Sequence, residues 1–278
     1  MPGTLYLCAT PIGNLEDISM RCLKILSNAD IIAAEDTRQT LKLLNRFEIN
    51  RPLTSYHEHN KREKGGYIIS LLRDGKDVAL VSDAGTVAIS DPGEDLVRLA
   101  IENNIKIVPV PGAVAAINAL IVSGISTRRF AFEGFLSVNK RHRREHLNSL
   151  KNDTHTLIFY EAPHKLKATL KDLYSVFGDR KIAVVRELTK IHEEVLHLTL
   201  SSAIEYYGKE NPRGEYVLII EGAQEPQKEE NPLNSLTIEE HVEHYTSEGM
   251  TQKEAIKQTA LDLDMPKREV YNKIHNNG

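Results

Sequence analysis

Four consecutive apolar residues, Val78-Ala79-Leu80-Val81, end abruptly on Ser82-Asp83-Ala84-Gly85-Thr86. A short apolar run bounded by turn formers reads as a strand buried on both faces. Such strands belong to parallel sheets covered by helices, where ligands collect at the carboxyl ends of the strands. Gly85 lets backbone approach a ligand, and Asp83 and Thr86 can fix polar groups. The same residues also fit an ordinary strand-to-helix loop. A second turn, Asp91-Pro92-Gly93, precedes the helical pattern Glu94–Asn103.

The same alternation recurs from Leu5 to Ser123. Leu5–Ala9 reads as a strand ending at Thr10-Pro11-Ile12-Gly13-Asn14. Asp17–Ser27 reads as a helix with Ile18, Cys22, Ile25 and Leu26 on one face. Ile31–Ala34 is a strand running into Glu35-Asp36-Thr37-Arg38, followed by a helix over Thr40–Phe47. Leu53–Tyr56 is a strand running into His57-Glu58-His59-Asn60, and Lys61–Arg73 a helix with Gly75 near its end. Ile105–Val110 is a strand turning at Pro111-Gly112 into the small-residue helix Ala113–Ser123. Strand, loop and helix in repetition predict a largely parallel sheet with helices on both faces. The loops at the strand ends should line one rim.

Beyond Gly124 the pattern changes. Phe130–Phe135, Thr156–Tyr160, Ile182–Arg186, Val195–Leu200 and Tyr216–Ile220 read as strands, and Arg141–Leu150 and His164–Phe177 as helices. Strands without intervening helices predict a mixed sheet. The expected division is an α/β domain over 1–123, a second α/β domain over 124–222, a polar linker over 223–236, and a small helical domain over 237–278. Two capping boxes, Thr237 with Glu240 and Thr251 with Glu254, start helices in that last part. Pro266 suits the first turn of a third, with Val270, Tyr271 and Ile274 on its apolar face. The order resembles a helix-turn-helix, with a plain packing module as the other possibility.

Several chemistries are excluded by what is missing. No G-x-G, P-loop, G-x-S-x-G or H-E-x-x-H occurs, and two cysteines, Cys8 and Cys22, have no ligand spacing. No metal site is expected. No stretch is long and apolar enough to span a membrane or serve as a secretory signal, and free cysteines suit a reducing cytoplasm. The formal net charge of −4 means that any nucleic-acid surface must be local. The candidate is Lys140-Arg141-His142-Arg143-Arg144, with Arg128 and Arg129 nearby; a solvated helix end is the alternative.

The segments LYLCATPIGNLEDIS, AAEDTRQT, SYHEHN, VSDAGTVAISDPG, VPVPGAVAAINAL, FEGFL, LIFYEAPHK, VRELTKIHEEV and RGEYVLIIEG resemble, in order, the branch of the tetrapyrrole methylase superfamily that methylates small-subunit ribosomal RNA. The likeness runs from about Leu5 to Gly222. It implies two α/β domains with a cleft between them and a C-terminal helical domain. It also implies S-adenosylmethionine-dependent 2′-O-methylation of a cytidine ribose in 16S ribosomal RNA, by a cytoplasmic homodimer acting on that RNA or on the small subunit. Carried over by position, the cofactor loops would be Pro11-Ile12-Gly13, Asp83-Ala84-Gly85-Thr86 and the stretch Gly112, Val114 and Ala115. Tyr160, Gly214 and Glu215 would close the second side. Many members have proline where this chain has Val87, and proline with a small polar or cysteine residue where it has Ala113 and Val114. Val114 would therefore contact a ligand through backbone.

A ribose hydroxyl attacks only as its proton leaves, so an acceptor is needed. Glu187, Glu35 and Asp36 are the candidate acceptors, with Arg186 to stabilise the oxyanion. Arg38, Lys190, Lys140, Arg141, Arg143 and Arg144 are the candidate RNA contacts. For the Glu35–Arg38 and Arg186–Lys190 blocks the competing reading is an ion-pair network within the protein. The competing functions are a small-molecule methyltransferase of the tetrapyrrole type and a non-enzymatic RNA-binding protein.

Overall fold

The computed structural model describes residues 1–224, 233 and 236–275. The chain forms two compact units, Met1–Ala223 and Gln224–Gly278. Most of the linker expected over 223–236 lies outside the described residues.

The first unit carries two five-stranded sheets. In the first, β1 (Thr4–Cys8), β2 (Ile31–Ala34), β3 (Leu53–Ser55), β4 (Val78–Val81) and β5 (Lys106–Val110) run parallel in the order β3-β2-β4-β1-β5. The apolar run is therefore central. Its residues alternate: Val78 and Leu80 pack under α3 (Lys61–Arg73) and α4 (Gly93–Glu102), while Ala79 and Val81 pack under α1 (Met20–Asn28) and α2 (Thr37–Arg46). This two-sided burial is why β4 reads as an unbroken apolar run rather than an alternating one. Asp36 caps α2, its Oδ1 accepting the Arg38 N–H at 2.8 Å. Cys8 and Cys22 are buried in the α1–α2 face with free thiols.

The second sheet is mixed. Its strands are β6 (Phe130–Phe135), β7 (Thr156–Glu161), β8 (Lys181–Arg186), β9 (Glu194–Thr199) and β10 (Tyr216–Ile220), in the order β6-β7-β10-β8-β9. Only β6 and β7 are parallel. One face packs on α6 (Lys140–Ser149), α7 (Pro163–Phe177) and α8 (Leu200–Lys209), the other on α5 (Ala115–Val122).

Two findings differ from the sequence reading. Helix α8 was not expected, because its first residues, Leu200-Ser201-Ser202-Ala203, look like a strand end running into a turn. Thr199 caps it, and Leu200, Ala203 and Tyr207 bury one face. The sequence pattern puts α5 in the first domain, yet Ala116, Ala119 and Leu120 pack against Ile158, Val185 and Ile219 of the second sheet. The passage between lobes thus precedes α5 instead of falling near Gly124.

The second unit is described by α9 (Ile238–Ser247), α10 (Gln252–Asp262) and α11 (Lys267–His275), packed around Val242, Ala255, Ile256, Ala260 and Val270. Both predicted capping boxes are formed. Of the expected apolar face on α11, Val270 is fully buried and Ile274 packs against this core, but Tyr271 is exposed.

Candidate active site

Loops leaving the carboxyl ends of β1, β2, β4 and β5 meet on one rim. Thr10 and Gly85 exchange two backbone hydrogen bonds, at 2.9 and 3.1 Å, tying the β1 loop to the β4 loop. Thr86 Oγ1 donates to the carbonyl of Ala113 at 3.1 Å, tying β4 to β5. Asp83 Oδ1 accepts the Asp36 N–H at 3.0 Å, tying β4 to β2. Gly85 has φ +81°, and a Cβ there would lie 3.0 Å from Ile12 Cγ2 and 3.3 Å from the Ala113 carbonyl. No larger residue fits that backbone without strain.

Beside this rim is a cavity of about 550 Å³ walled by both lobes. From the first lobe it is lined by Ile12, Glu35, Asp83, Ala84, Gly85 and Thr86; Val114 and Ala115, at the start of α5, also face it. From the second it is lined by Phe135, Tyr160, Val185, Leu188, Glu215 and Val217. Nine of the thirteen expected cofactor residues are therefore brought together here. The remaining four, Pro11, Gly13, Gly112 and Gly214, lie off the wall. Three of these are crowded glycines: a Cβ would meet Lys190 Cγ from Gly13, Ala9 Cβ from Gly112 and Glu187 Cδ from Gly214, each within 2.7 Å. Gly13 thus marks where the first lobe closes against the Leu188–Lys190 turn of the second.

The four catalytic candidates separate. Glu35 lines the cavity, and its carboxyl is held above its ordinary value by burial, then by the charges of Asp83 and Asp91. Asp36 turns away from the wall into its pair with Arg38, which holds its carboxyl down near 2. Glu187 is bound by Lys190 Nζ at 2.9 Å and the Glu215 N–H at 3.0 Å; burial works against ionisation, but these contacts keep its carboxyl below the usual value. Its φ of +50° and that of Thr189, +66°, are left-handed, so Glu187 shapes the turn that meets Gly13. Arg186 pairs with Glu194 at 3.3 Å, while its Nε is buried without a partner.

Among the RNA candidates, Lys140, Arg141 and Arg144 are exposed at the start of α6. Arg143 is turned inward, its Nε on Asp172 at 2.7 Å and Nη1 on the Ser137 carbonyl at 3.1 Å. Lys190 bridges Glu187 and Glu215, both at 2.9 Å. Arg38 is exposed beside its Asp36 partner.

Several lining residues were not expected. Asp91 accepts the Ala88 N–H at 2.8 Å and the Gly93 N–H at 2.7 Å, holding Ala88 and Ser90 in left-handed conformations. Burial raises its carboxyl above the ordinary range. The D-P-G turn signals a bend, but not that its aspartate faces a cavity. Glu161, also on the wall, is buried and bonded to Thr169 and the Ala162 N–H. Val87 is buried in the core beneath the loop. His57 and His59 lie in a turn beyond β3, not on a strand, and their rings stack edge-on at 6.0 Å. No grouping of three or more metal-ligating side chains occurs among the described residues.

The cavity suits a nucleoside carrying both charge and apolar surface. Ile12, Val114, Leu188 and Val217 offer apolar walls, Glu35, Asp83 and Asp91 offer acceptors for hydroxyl or cationic groups, and the N-cap residue of α5, Val114, supplies no side-chain cap of its own, only the Ala116 N–H being taken, by the Tyr160 hydroxyl. The positive dipole end of that helix favours an anionic group such as a carboxylate. S-adenosylmethionine carries each of these groups.

A parallel lobe, a mixed lobe and a cavity walled by both define a two-lobed α/β protein with a ligand-sized cleft. The model of the Tetrapyrrole (Corrin/Porphyrin) Methylases matches residues 4–204. The chain is 51% identical over 275 residues to the ribosomal RNA small subunit methyltransferase I of Bacillus subtilis, covering 98% of this chain and 94% of that protein. It is 52% identical over 274 residues to the protein of the same name from Halalkalibacterium halodurans, covering 98% and 95%. The uroporphyrin-III C-methyltransferase of Thermus thermophilus, solved with S-adenosyl homocysteine, shares the fold with a TM-score of 0.57 at 17% identity, over 79% of this chain and 97% of that one. The chain belongs to the tetrapyrrole methylase family, in its ribosomal RNA small subunit methyltransferase I branch.

Proposed function

We propose that this chain transfers a methyl group from S-adenosylmethionine to the ribose 2′-hydroxyl of a cytidine in 16S ribosomal RNA. The observation that carries the reading is the two-lobed cavity, in a chain about half identical over nearly its whole length to proteins named for methylating that RNA. The cofactor would be held by Ile12, Asp83–Thr86, the start of α5 and Tyr160. When bound, it supplies an electrophilic methyl on a sulfonium.

The protein's own task is alignment and proton removal. Glu35 is the catalytic candidate on the cavity wall, and we assign it the proton of the attacking hydroxyl. Its raised affinity for a proton makes it a better acceptor than Asp36 or Glu187, both held ionised by cations.

The reading extends to a cytoplasmic homodimer. Exposed Ile117, Ile121 and Val122 on α5 support self-association, which light scattering of the purified chain tests. No helix among the described residues is long and apolar enough to cross a membrane. The division proposed at 123/124 moves to a point before α5, which joins the second half of the catalytic part, and 237–278 remains an appended helical domain.

The test is methyl incorporation from tritiated S-adenosylmethionine into small ribosomal subunits from cells lacking this enzyme, followed by nucleoside digestion. Label in 2′-O-methylcytidine is the expected result. Label on a base, or label taken up by tetrapyrroles but not by the subunits, would overturn the reading.

A further inference from the structure

Phe135 is exposed where a strand phenylalanine should be buried. Strict alternation along β6 would put it on the face opposite Phe132, toward α6 and α7. The register shifts between Phe132 and Gly134, so that Phe132 pairs with Ile158 and Phe135 with Tyr160. Ile158 and Tyr160 share the face that packs on α5. One extra residue, Glu133, thus swings Phe135 to the cavity side. Its ring meets Tyr160 edge-on at 5.5 Å, as Phe132 does at 5.0 Å, yet it remains 58% exposed. It lines the cavity together with Ile89, an exposed residue of the first lobe. Five residues further on, α6 begins with exposed Lys140, Arg141 and Arg144.

We propose that Phe135 is the stacking platform for the nucleobase of the target nucleotide, with Lys140, Arg141 and Arg144 on the neighbouring phosphates. The proposal rests on the ribosomal RNA reading and adds to it the residue that receives the base. In-line attack needs one ribose hydroxyl held in a single orientation, and an aromatic face that stacks the attached base fixes that orientation and adds affinity. A phenylalanine ring has no hydrogen-bonding edge, so Phe135 sets affinity and orientation, not base identity.

The experiment compares wild type with Phe135→Ala, Phe135→Leu and Phe135→Trp in the full chain, reading the KM for unmethylated small ribosomal subunits and, by calorimetry, the affinity for S-adenosyl homocysteine. The expected result is a KM raised about ten-fold or more in the alanine and leucine variants and restored by tryptophan. Circular-dichroism melts at the wild-type temperature show the variants to be folded, and any change in affinity for S-adenosyl homocysteine stays well below the change in KM. An unchanged KM in Phe135→Ala, or a leucine variant equal to wild type, overturns the stacking role while leaving the RNA reading intact. Loss of S-adenosyl homocysteine affinity would make Phe135 part of the cofactor wall and overturn it equally. Wild-type protein that transfers no methyl to the subunits removes both readings together.

Discussion

The hydroxyl of Tyr160, on the second sheet, accepts the backbone N–H of Ala116 in the first turn of α5 at 3.1 Å. Val114, at the N-cap, has no side chain able to do this. Tyr160 therefore acts as a cap supplied from a distant strand. Burial raises the phenol's pKa, so it stays protonated and keeps its own proton to offer toward the cavity. Tyr160→Phe should lower stability by about 1 kcal/mol in urea unfolding. It should also weaken binding of S-adenosyl homocysteine, because the amides at the helix start lose their fixed orientation.

Gly85 should be intolerant of any side chain. Its φ of +81° and the contacts awaiting a Cβ at Ile12 and Ala113 predict a destabilisation of about 1–2 kcal/mol for Gly85→Ala. Gly85→Val should add loss of cofactor affinity, as its branches enter the cavity. Calorimetry on the folded variant checks this. Wild-type affinity in Gly85→Val would remove the loop from the site.

Glu35 gives a pH-dependent prediction. Burial, Asp83 and Asp91 raise its folded-state pKa above the ordinary 4.5. Between those two values the folded state binds more protons than the unfolded one, so stability falls as pH rises through that window. Glu35→Gln removes the penalty. The variant should melt higher than wild type at neutral pH, and the difference should vanish below about pH 4.5, where Glu35 is protonated in both states. Methyl transfer by the same variant should fall, because the proton acceptor is gone. Thermal melts across pH and single-turnover rates measure the two effects separately.

The basic cluster divides by geometry. Replacing Lys140, Arg141 and Arg144 with alanine should weaken binding to small subunits and reduce the slope of log affinity against log salt by roughly 2. Arg143→Ala should leave that slope in place and instead lower stability by about 1 kcal/mol, since its guanidinium joins Asp172 and the Ser137 carbonyl. Fluorescence anisotropy across a salt series, with parallel melts, distinguishes them.

What could be read from the sequence follows from which forces are local. The strand Val78–Val81 and the loop Asp83–Thr86 were legible because burial on both faces leaves a continuous apolar run, and a tight turn needs small residues. Helix α5 was legible as a helix but not by its lobe: AAINALIV is apolar apart from Asn118, so its pattern names no single buried face. Phe135 was legible as a strand residue, but its outward turn depends on the bulge at Glu133–Gly134, which leaves no periodic mark. Asp36 and Glu187 looked like acceptors by residue type. Their partners, the Arg38 backbone and the Glu215 N–H, exist only once the loops have folded.

A crystal structure of the full chain with S-adenosyl homocysteine tests the central claim most directly. The account predicts the ligand between the lobes, against Asp83–Thr86 and Tyr160, with its carboxylate at the first turn of α5. Ligand density anywhere else, with this cavity unfilled, would contradict it.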